Sequence, residues 1–424
     1  MSGLNLLREE LNKCVRCGTC RSVCPVFWII GRETASARGK LALIQSYLKG
    51  EIELSETYLR HIKECTLCGA CKANCPNGVN TTGIISAARA DSVEKLGVPI
   101  AASLVFKNLL NAGGLMAGAL RIATRLQSVL FKDANVEKGL LSRFALPVIG
   151  NNRLLPPLAR TFFLELPEVR ELSEAGSTGS ARKTLRVAFY AGCGINYLMP
   201  EVGKASIEAL RKAGVEVVVP SAQVCCGMPA YSMGDVKTAR EMALRNLEAF
   251  EAGSYDYITT SCATCGWGLK NLFSKLLGET PGMKSRVEAF ASKVRDISEL
   301  LVNELHFKAA QKGGGPERVV TYHDPCHLGR NQGVRDEPRE VIKMGAGVVL
   351  KEMKHPCSCC GLGGGLSISN YELSMEITKR KAESVRDSGA EIVATACPGC
   401  MVQLRDGLHR YGVKAKVMHV VELL

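Results

Sequence analysis

One cysteine spacing occurs twice near the start of this sequence and limits what the chain can fold into. Cys14, Cys17, Cys20 and Cys24 precede Pro25, and Cys65, Cys68, Cys71 and Cys75 precede Pro76. Each set reads C-x2-C-x2-C-x3-C-P, the spacing used for [4Fe–4S] clusters. Three thiolates three residues apart can wrap one face of a cube while the fourth points away. The proline then turns the chain and removes an N–H that would compete locally. Structural zinc sites more often pair C-x2-C hooks across longer gaps. Where two such clusters share one unit, the fourth cysteine of each motif ligates the other cluster. The expected ligands are Cys14, Cys17, Cys20 and Cys75 for one cubane, and Cys65, Cys68, Cys71 and Cys24 for the other.

A 40-residue insert, Pro25 to Glu64, separates the motifs. Within it, Ala37–Lys49 is patterned as a helix with Leu41, Ile44 and Leu48 on one face. That places Cys14 and Cys65 on helical segments and predicts an α-helical ferredoxin unit over residues 1–95. Arg38 and Lys40 follow the first motif as solvated charges that could also tune a cluster.

A second repeat takes ten more cysteines. Cys193, Cys225–Cys226–Gly227 and Cys262-x-x-Cys265 are matched by Cys326, Cys359–Cys360–Gly361 and Cys397-x-x-Cys400. The offsets are 133 (193 to 326), 134 (226 to 360) and 135 (265 to 400), which indicates duplication. The β-branched runs Tyr255–Ser261 and Ala390–Ala396 lead straight into each C-x-x-C, with helices expected from near Trp267 and Met401. A strand-to-helix junction favours anionic sulfur through the free N–H groups and the macrodipole. A thioredoxin-like dithiol would leave the Cys-Cys-Gly upstream unexplained. A single zinc ion would fit adjacent cysteines poorly, whereas a larger cluster can engage them through different irons. An iron–sulfur site is the leading reading. Of 19 cysteines, Cys357 alone falls outside these sets and is read as a non-ligand.

The chain has 424 residues, enough for two to four domains. Its 46% hydrophobic and 22% charged residues exclude global disorder. Net charge is +13, yet aromatics are only 5%, thin for stacking single-stranded nucleic acid, so no nucleic-acid partner is expected. An acidic partner or an anionic membrane face suits the charge better. Residues Met1–Lys13 lack a signal-peptide core, and no apolar run approaches the ~18 residues of a membrane span. A cytosolic location is expected, where reduced thiols serve as metal ligands.

Residues 95–170 carry ten basic and four acidic side chains, +6 of the total. They are patterned as helix and expected to act as a spacer or a docking surface. Ser173–Thr184 and Gln311–Arg318 are expected linkers. Each half after the first linker alternates strand and helix, which predicts parallel α/β layers. The strands expected are 185–190, 215–219 and 255–260, then 319–322, 348–351 and 391–395, with helices over 236–250 and 371–388. No P-loop and no H-E-x-x-H is present, and no flavin or nicotinamide site is evident. Gly361-Leu-Gly-Gly-Gly365 fails the dinucleotide pattern and is read as a close backbone approach to a cluster. His323 and His327 bracket Cys326. They are read as hydrogen-bonding turn residues, with proton delivery or cluster tuning as the alternative.

With both repeats in view, the chain resembles one family along nearly its whole length: the D-type heterodisulfide reductase and glycolate oxidase iron–sulfur subunits. The resemblance rests on the two CxxCxxCxxxCP motifs, GRETASARGK (31–40), HDPCH (323–327) and CPGC (397–400). It implies an α+β multidomain protein: an N-terminal α-helical ferredoxin domain (1–95), a basic helical connector (96–172), and two duplicated α/β CCG domains (185–310 and 318–424). In such domains five thiolates can hold a non-cubane [4Fe–4S] cluster. The matching positions are Cys193, Cys225, Cys226, Cys262 and Cys265, and Cys326, Cys359, Cys360, Cys397 and Cys400. The implied cofactors are two cubanes plus one or two non-cubane clusters.

All ten cysteines are kept, which leans toward heterodisulfide-reductase-type cluster content. GRETASARGK and PPLARTFF (156–163) look more like bacterial subunits paired with a flavin-dependent hydroxyacid dehydrogenase. The resemblance therefore implies an electron-transfer subunit between an FAD-dependent glycolate or D-lactate dehydrogenase, or another redox subunit, and a quinone or other acceptor. It would be cytoplasmic or peripheral on the inner face of the membrane. The alternative is a catalytic subunit that reduces a disulfide at the non-cubane clusters.

Overall fold

The computed structural model describes residues 7–106, 115–133, 139–143, 153–174, 184–309 and 317–424. Residues 175–183 and 310–316, most of the two expected linkers, lie outside it, as does part of the small-residue stretch around Gly113–Gly118. The protein is an α+β multidomain chain whose two parallel sheets follow an N-terminal helical unit.

The helical unit is built from Pro25–Ile30, Ala37–Leu48, Glu56–Lys63 and Thr81–Leu96. Ser36, Ser55 and Asn80 cap the last three by accepting an N–H three residues on. Leu41, Ile44, Tyr58, Ile62, Ile84 and Ile85 form its core. Cys14 and Cys65 do not lie on helices. They sit in irregular loops just after Arg8–Asn12 and Glu56–Lys63. Arg16 and Leu67 hold φ of 56° and 53°, and Gly18 and Gly69 hold 89° and 74°. Successive left-handed residues turn the thiols inward, which a helix would not do.

The basic connector is not wholly helical. After helix Leu115–Leu130, strands β1 (Phe131–Asp133) and β2 (Leu140–Ser142) pair antiparallel, and Leu155 bridges to Leu140. Its later part is pinned to both repeats. Leu154 N–H donates to Asp406 (2.9 Å), Arg153 to the Ser367 carbonyl (3.0 Å), and Leu164 N–H to Asn196 (2.9 Å).

The first repeat has strands β3 (Arg186–Phe189), β4 (Glu216–Val218), β5 (Tyr257–Thr260) and β6 (Val294–Asp296), ordered β4-β3-β5-β6. The second has β7 (Arg318–His323), β8 (Val348–Leu350), β9 (Ile392–Thr395) and β10 (Lys416–His419), ordered β8-β7-β9-β10. Both sheets are entirely parallel, and β3, β9 and most of β5 are buried on both faces. The identical strand order shows the duplication in three dimensions. Helices Val236–Glu251 and Tyr371–Ser388 stand at matching places. One apolar core runs through both repeats.

A separate apolar cluster joins the N-terminal unit to the second repeat. Val26, Ala35, Cys68 and Ala70 pack against Cys359, Leu366, Leu373 and Ile377. The 361–365 glycine run lies here. A Cβ on Gly363 would stand 2.4 Å from the Thr66 carbonyl, and one on Gly364 2.2 Å from that of Cys65. Arg89 completes the junction. Fully buried, it donates to the carbonyls of Ile62, Lys63, Cys65, Ser232 and Gly364, at 2.6–3.2 Å. These carbonyls belong to the N-terminal unit and both repeats. Arg89→Met would leave five acceptors unpaired, at about 1–3 kcal/mol for each one kept dry. We expect a drop of several degrees in the melting temperature of the full chain by calorimetry. An unchanged temperature would show that the carbonyls find other donors.

Candidate metal centres

All 19 cysteines are free. In each repeat they follow the carboxyl ends of parallel strands. Cys193 and Cys326 come after β3 and β7, the Cys-Cys pairs after β4 and β8, and Cys262 and Cys397 after β5 and β9. The neighbours β4 and β5 leave β3 on opposite sides, so the sulfurs meet at a topological switch point, where open α/β sheets bind ligands. The helices here begin at Ala263 and Pro398, earlier than the expected Trp267 and Met401. The second cysteine of each pair therefore lies in the first helical turn, and Cys265 N–H donates to Cys262 Sγ at 3.4 Å.

In the N-terminal unit, Cys24, Cys65, Cys68 and Cys71 line one cavity. Cys14, Cys17, Cys20 and Cys75 line a second, which Cys71 also borders. The last cysteine of each motif thus faces the other motif's trio. Pro25 opens a helix with Cys24 as its cap, and Phe27 N–H donates to Cys24 Sγ at 3.5 Å. Leu67 N–H donates to Cys65 Sγ (3.4 Å), and Cys71 Sγ bonds Thr81 Oγ1 (2.9 Å). Lys40 is buried beside the first cavity, held by the Thr34 and Ala35 carbonyls, and is not a solvated charge. Arg38 borders the second cavity and pairs with Glu33. Cys17 is exposed, whereas Cys68 is buried.

Nine of the ten cysteines of the repeats lie in one run, sulfur beside sulfur. Cys193 meets Cys225 at 3.6 Å, Cys225 lies beside Cys226, and Cys226 lies beside Cys265, which neighbours Cys262. Cys262 reaches across to Cys397. Cys397 lies beside Cys400, Cys400 meets Cys360 at 3.6 Å, and Cys360 lies beside Cys359. Cys359 lies beside Cys68 of the N-terminal unit. Cys326 sits beside Cys359 and Cys68, and Cys357 is exposed outside this run. None of these cross-unit meetings is visible in sequence spacing.

The repeats meet just past the carboxyl ends of β5 and β9. Ala263 N–H donates to the Ala396 carbonyl (3.0 Å), and Thr264 Oγ1 bonds His327 Nδ1 (3.1 Å). His327 stacks on Trp267 at 5.6 Å.

Burial pushes the Cys24 thiol up to about 12 and holds the Lys40 amine below its ordinary value. A thiol held protonated in this way gives up its proton when it binds a metal. The donor sets fit iron–sulfur clusters: soft sulfurs in converging groups, backbone N–H donors aimed at sulfur, and glycine where a side chain would intrude. A Cβ on Gly192, at φ +61°, would stand 3.0 Å from Cys265 Sγ.

Comparisons agree with this chemistry. A 4Fe-4S dicluster domain matches residues 10–79, and a cysteine-rich domain matches 187–270 and again 320–405. The chain is 33% identical to the probable glycolate oxidase iron–sulfur subunit of Bacillus subtilis, over 98% of this chain and 93% of that one. It is 30% identical to a fumarate reductase (CoM/CoB) subunit of Methanothermobacter marburgensis, over 98% and 72%. Lactate utilization protein A of Bacillus cytotoxicus is 32% identical over 57% of this chain and 98% of its own. A solved Helicobacter pylori protein shares the fold at TM-score 0.50 and 9% identity, over 91% of this chain and 66% of that one. The chain belongs to the family of glycolate oxidase and D-type heterodisulfide reductase iron–sulfur subunits, whose members serve oxidoreductases.

Gly192→Ala is expected to reduce iron per chain in anaerobically purified protein while leaving the fold intact by circular dichroism. Unchanged iron would show that the first repeat does not need that close approach.

Proposed function

We propose that Cys14, Cys17, Cys20 and Cys75 hold one cubane [4Fe–4S] cluster, and Cys65, Cys68, Cys71 and Cys24 a second. In the same reading Cys193, Cys225, Cys226, Cys262 and Cys265 hold a non-cubane cluster, and Cys326, Cys359, Cys360, Cys397 and Cys400 another. The chain is then the electron-transfer subunit of a complex. A separate FAD-dependent dehydrogenase oxidises a 2-hydroxyacid such as glycolate or D-lactate, and a quinone or another acceptor takes the electrons. Bound clusters supply one-electron storage. The observation that carries this reading is the unbroken sulfur sequence from Cys193 to Cys68 and on to the two N-terminal cavities.

The chain's own residues supply the rest. Exposed Cys17 offers a partner access at one end. Thr81 bonds the Cys71 sulfur, Lys40 places a buried cation beside Cys24 and Cys65, and Arg89 adds a second near Cys65. Such groups set cluster potentials. Anaerobic purification with iron counting tests the assignment, with about sixteen irons per chain expected from four four-iron clusters. About eight would remove the two non-cubane clusters.

The connector supports a peripheral position on an anionic membrane surface. Ile122, Leu126 and Val129 are 61, 49 and 62% exposed at helical spacing, with Arg121 and Arg125 on the same helix. Gln127 holds the Leu158 backbone at 3.2 and 3.4 Å from another face of that helix. Among the described residues no helix is long and apolar enough to cross a membrane. Flotation with phosphatidylglycerol vesicles should recover the wild-type chain and lose it on Ile122→Glu with Val129→Glu. Equal flotation of both would refute the apolar face.

A second reading, disulfide reduction by this chain itself, is favoured by one observation. The two five-thiol sets touch at Cys262 and Cys397, and a cavity lined by Lys72, Tyr231, Trp267, Lys275, His327 and Arg330 opens nearby. Disulfide turnover by the isolated, cluster-loaded chain would establish it, and none would leave the electron-transfer reading alone.

A further inference from the structure

The two repeats share strand order and cysteine pattern but differ in the side chain three residues before the first cysteine of each. In the second repeat it is His323, three residues before Cys326. It is 1% exposed, and neither ring nitrogen has a hydrogen-bond partner. The Pro356 carbonyl beside the ring already accepts the Asp324 N–H (3.1 Å) and Lys381 Nζ (3.0 Å). A ring nitrogen of His323 and the sulfurs of Cys360 and Cys400 lie within 4.8 Å of one another. A buried imidazole left without a partner is destabilising. The nitrogen that faces those sulfurs is placed to donate to whatever they hold.

The first repeat lacks this device. Three residues before Cys193 stands Tyr190, fully buried, whose hydroxyl donates to the Val224 carbonyl at 2.5 Å and is used up there. A charge difference accompanies it. Lys381 is buried in the second repeat, its Nζ donating to the His355 carbonyl at 2.8 Å and to that of Pro356. The position 135 residues earlier, the offset that relates Cys265 to Cys400, is neutral Asn246. It bonds the Cys225 carbonyl at 2.9 Å.

We infer that His323 donates an N–H hydrogen bond to sulfur of the iron–sulfur centre held by the second repeat, and that His323 with Lys381 makes that repeat the better electron acceptor of the two. The inference rests on the reading that the five thiols of the second repeat hold such a centre. Those thiols supply the ligands, so the imidazole is a positioning residue that acts through sulfur. A donor and a buried cation both favour the reduced, more negative state.

The test uses the full chain purified without oxygen, with the second-repeat EPR signal assigned by its loss in Cys360→Ser. Histidine is labelled with 15N, and the buffer is exchanged to D2O. Wild-type protein should show an exchangeable proton and a weak histidine nitrogen coupled to that signal, both lost in His323→Phe. The midpoint potential of His323→Phe should fall by about a tenfold change in the one-electron equilibrium, about 59 mV. His323→Gln, which keeps an N–H donor, should recover part of it.

An unchanged potential and unchanged couplings in His323→Phe, with iron retained, would overturn the inference. A strong, directly bonded nitrogen coupling would also overturn it, since His323 would then be a ligand. Iron loss in both variants would likewise do so, reducing the residue to a structural role. Absence of the signal from wild type is a different failure, that of the five-thiol reading itself.

Discussion

The fold depends on one buried cation that has no carboxylate. Arg89 directs its guanidinium at five main-chain carbonyls drawn from the N-terminal unit and both repeats. Desolvation opposes its charge, and the nearby Cys65 sulfur favours it. A cation in this place ties the Cys65 loop to the Gly364 turn while raising the local potential. The same junction brings Cys68 against Cys359. Had the three units been joined by a mobile hinge, the sulfurs of different units would not stay in contact. The glycines at 363 and 364 serve the same end, since any side chain there would strike the Thr66 or Cys65 carbonyl.

The duplicated sheets solve a related problem. A parallel strand end offers free backbone groups and helix N-termini, a good place for anionic sulfur. Two such ends, joined through Ala263 and Ala396, bring the paired cysteines together. Duplication then permits divergence. Tyr190 and Asn246 are satisfied by backbone in one copy, whereas His323 and Lys381 add a donor and a charge in the other.

Much of this is legible in the sequence where the controlling geometry is local. Cluster-type spacing is a property of a few consecutive residues, and β-branched runs such as Tyr255–Ser261 mark central strands. The α+β class and the strand-helix alternation follow from these. Short edge strands β6 and β10 escape such a reading, because three or four residues with charges among them carry no clear period. The helical pattern flanking Cys14 and Cys65 suggests helices that the structure replaces with loops. The left-handed residues Arg16 and Leu67 have no composition signal. Lys40 reads as surface charge until the fold closes over it, and Arg89 stands within an ordinary helix. Partners drawn from distant segments cannot be read from either end alone. The pairs Cys68–Cys359 and Cys262–Cys397 are of this kind.

The sulfur sets stand in one spatial order: the Cys65 set lies next to the second repeat, and the second repeat next to the first. Pulsed EPR of the cluster-loaded chain during stepwise reduction tests it most directly. Reducing the centre at Cys65, Cys68, Cys71 and Cys24 should split the second-repeat signal strongly and the first-repeat signal weakly. Strong splitting of the first-repeat signal, with the second unaffected, would contradict it.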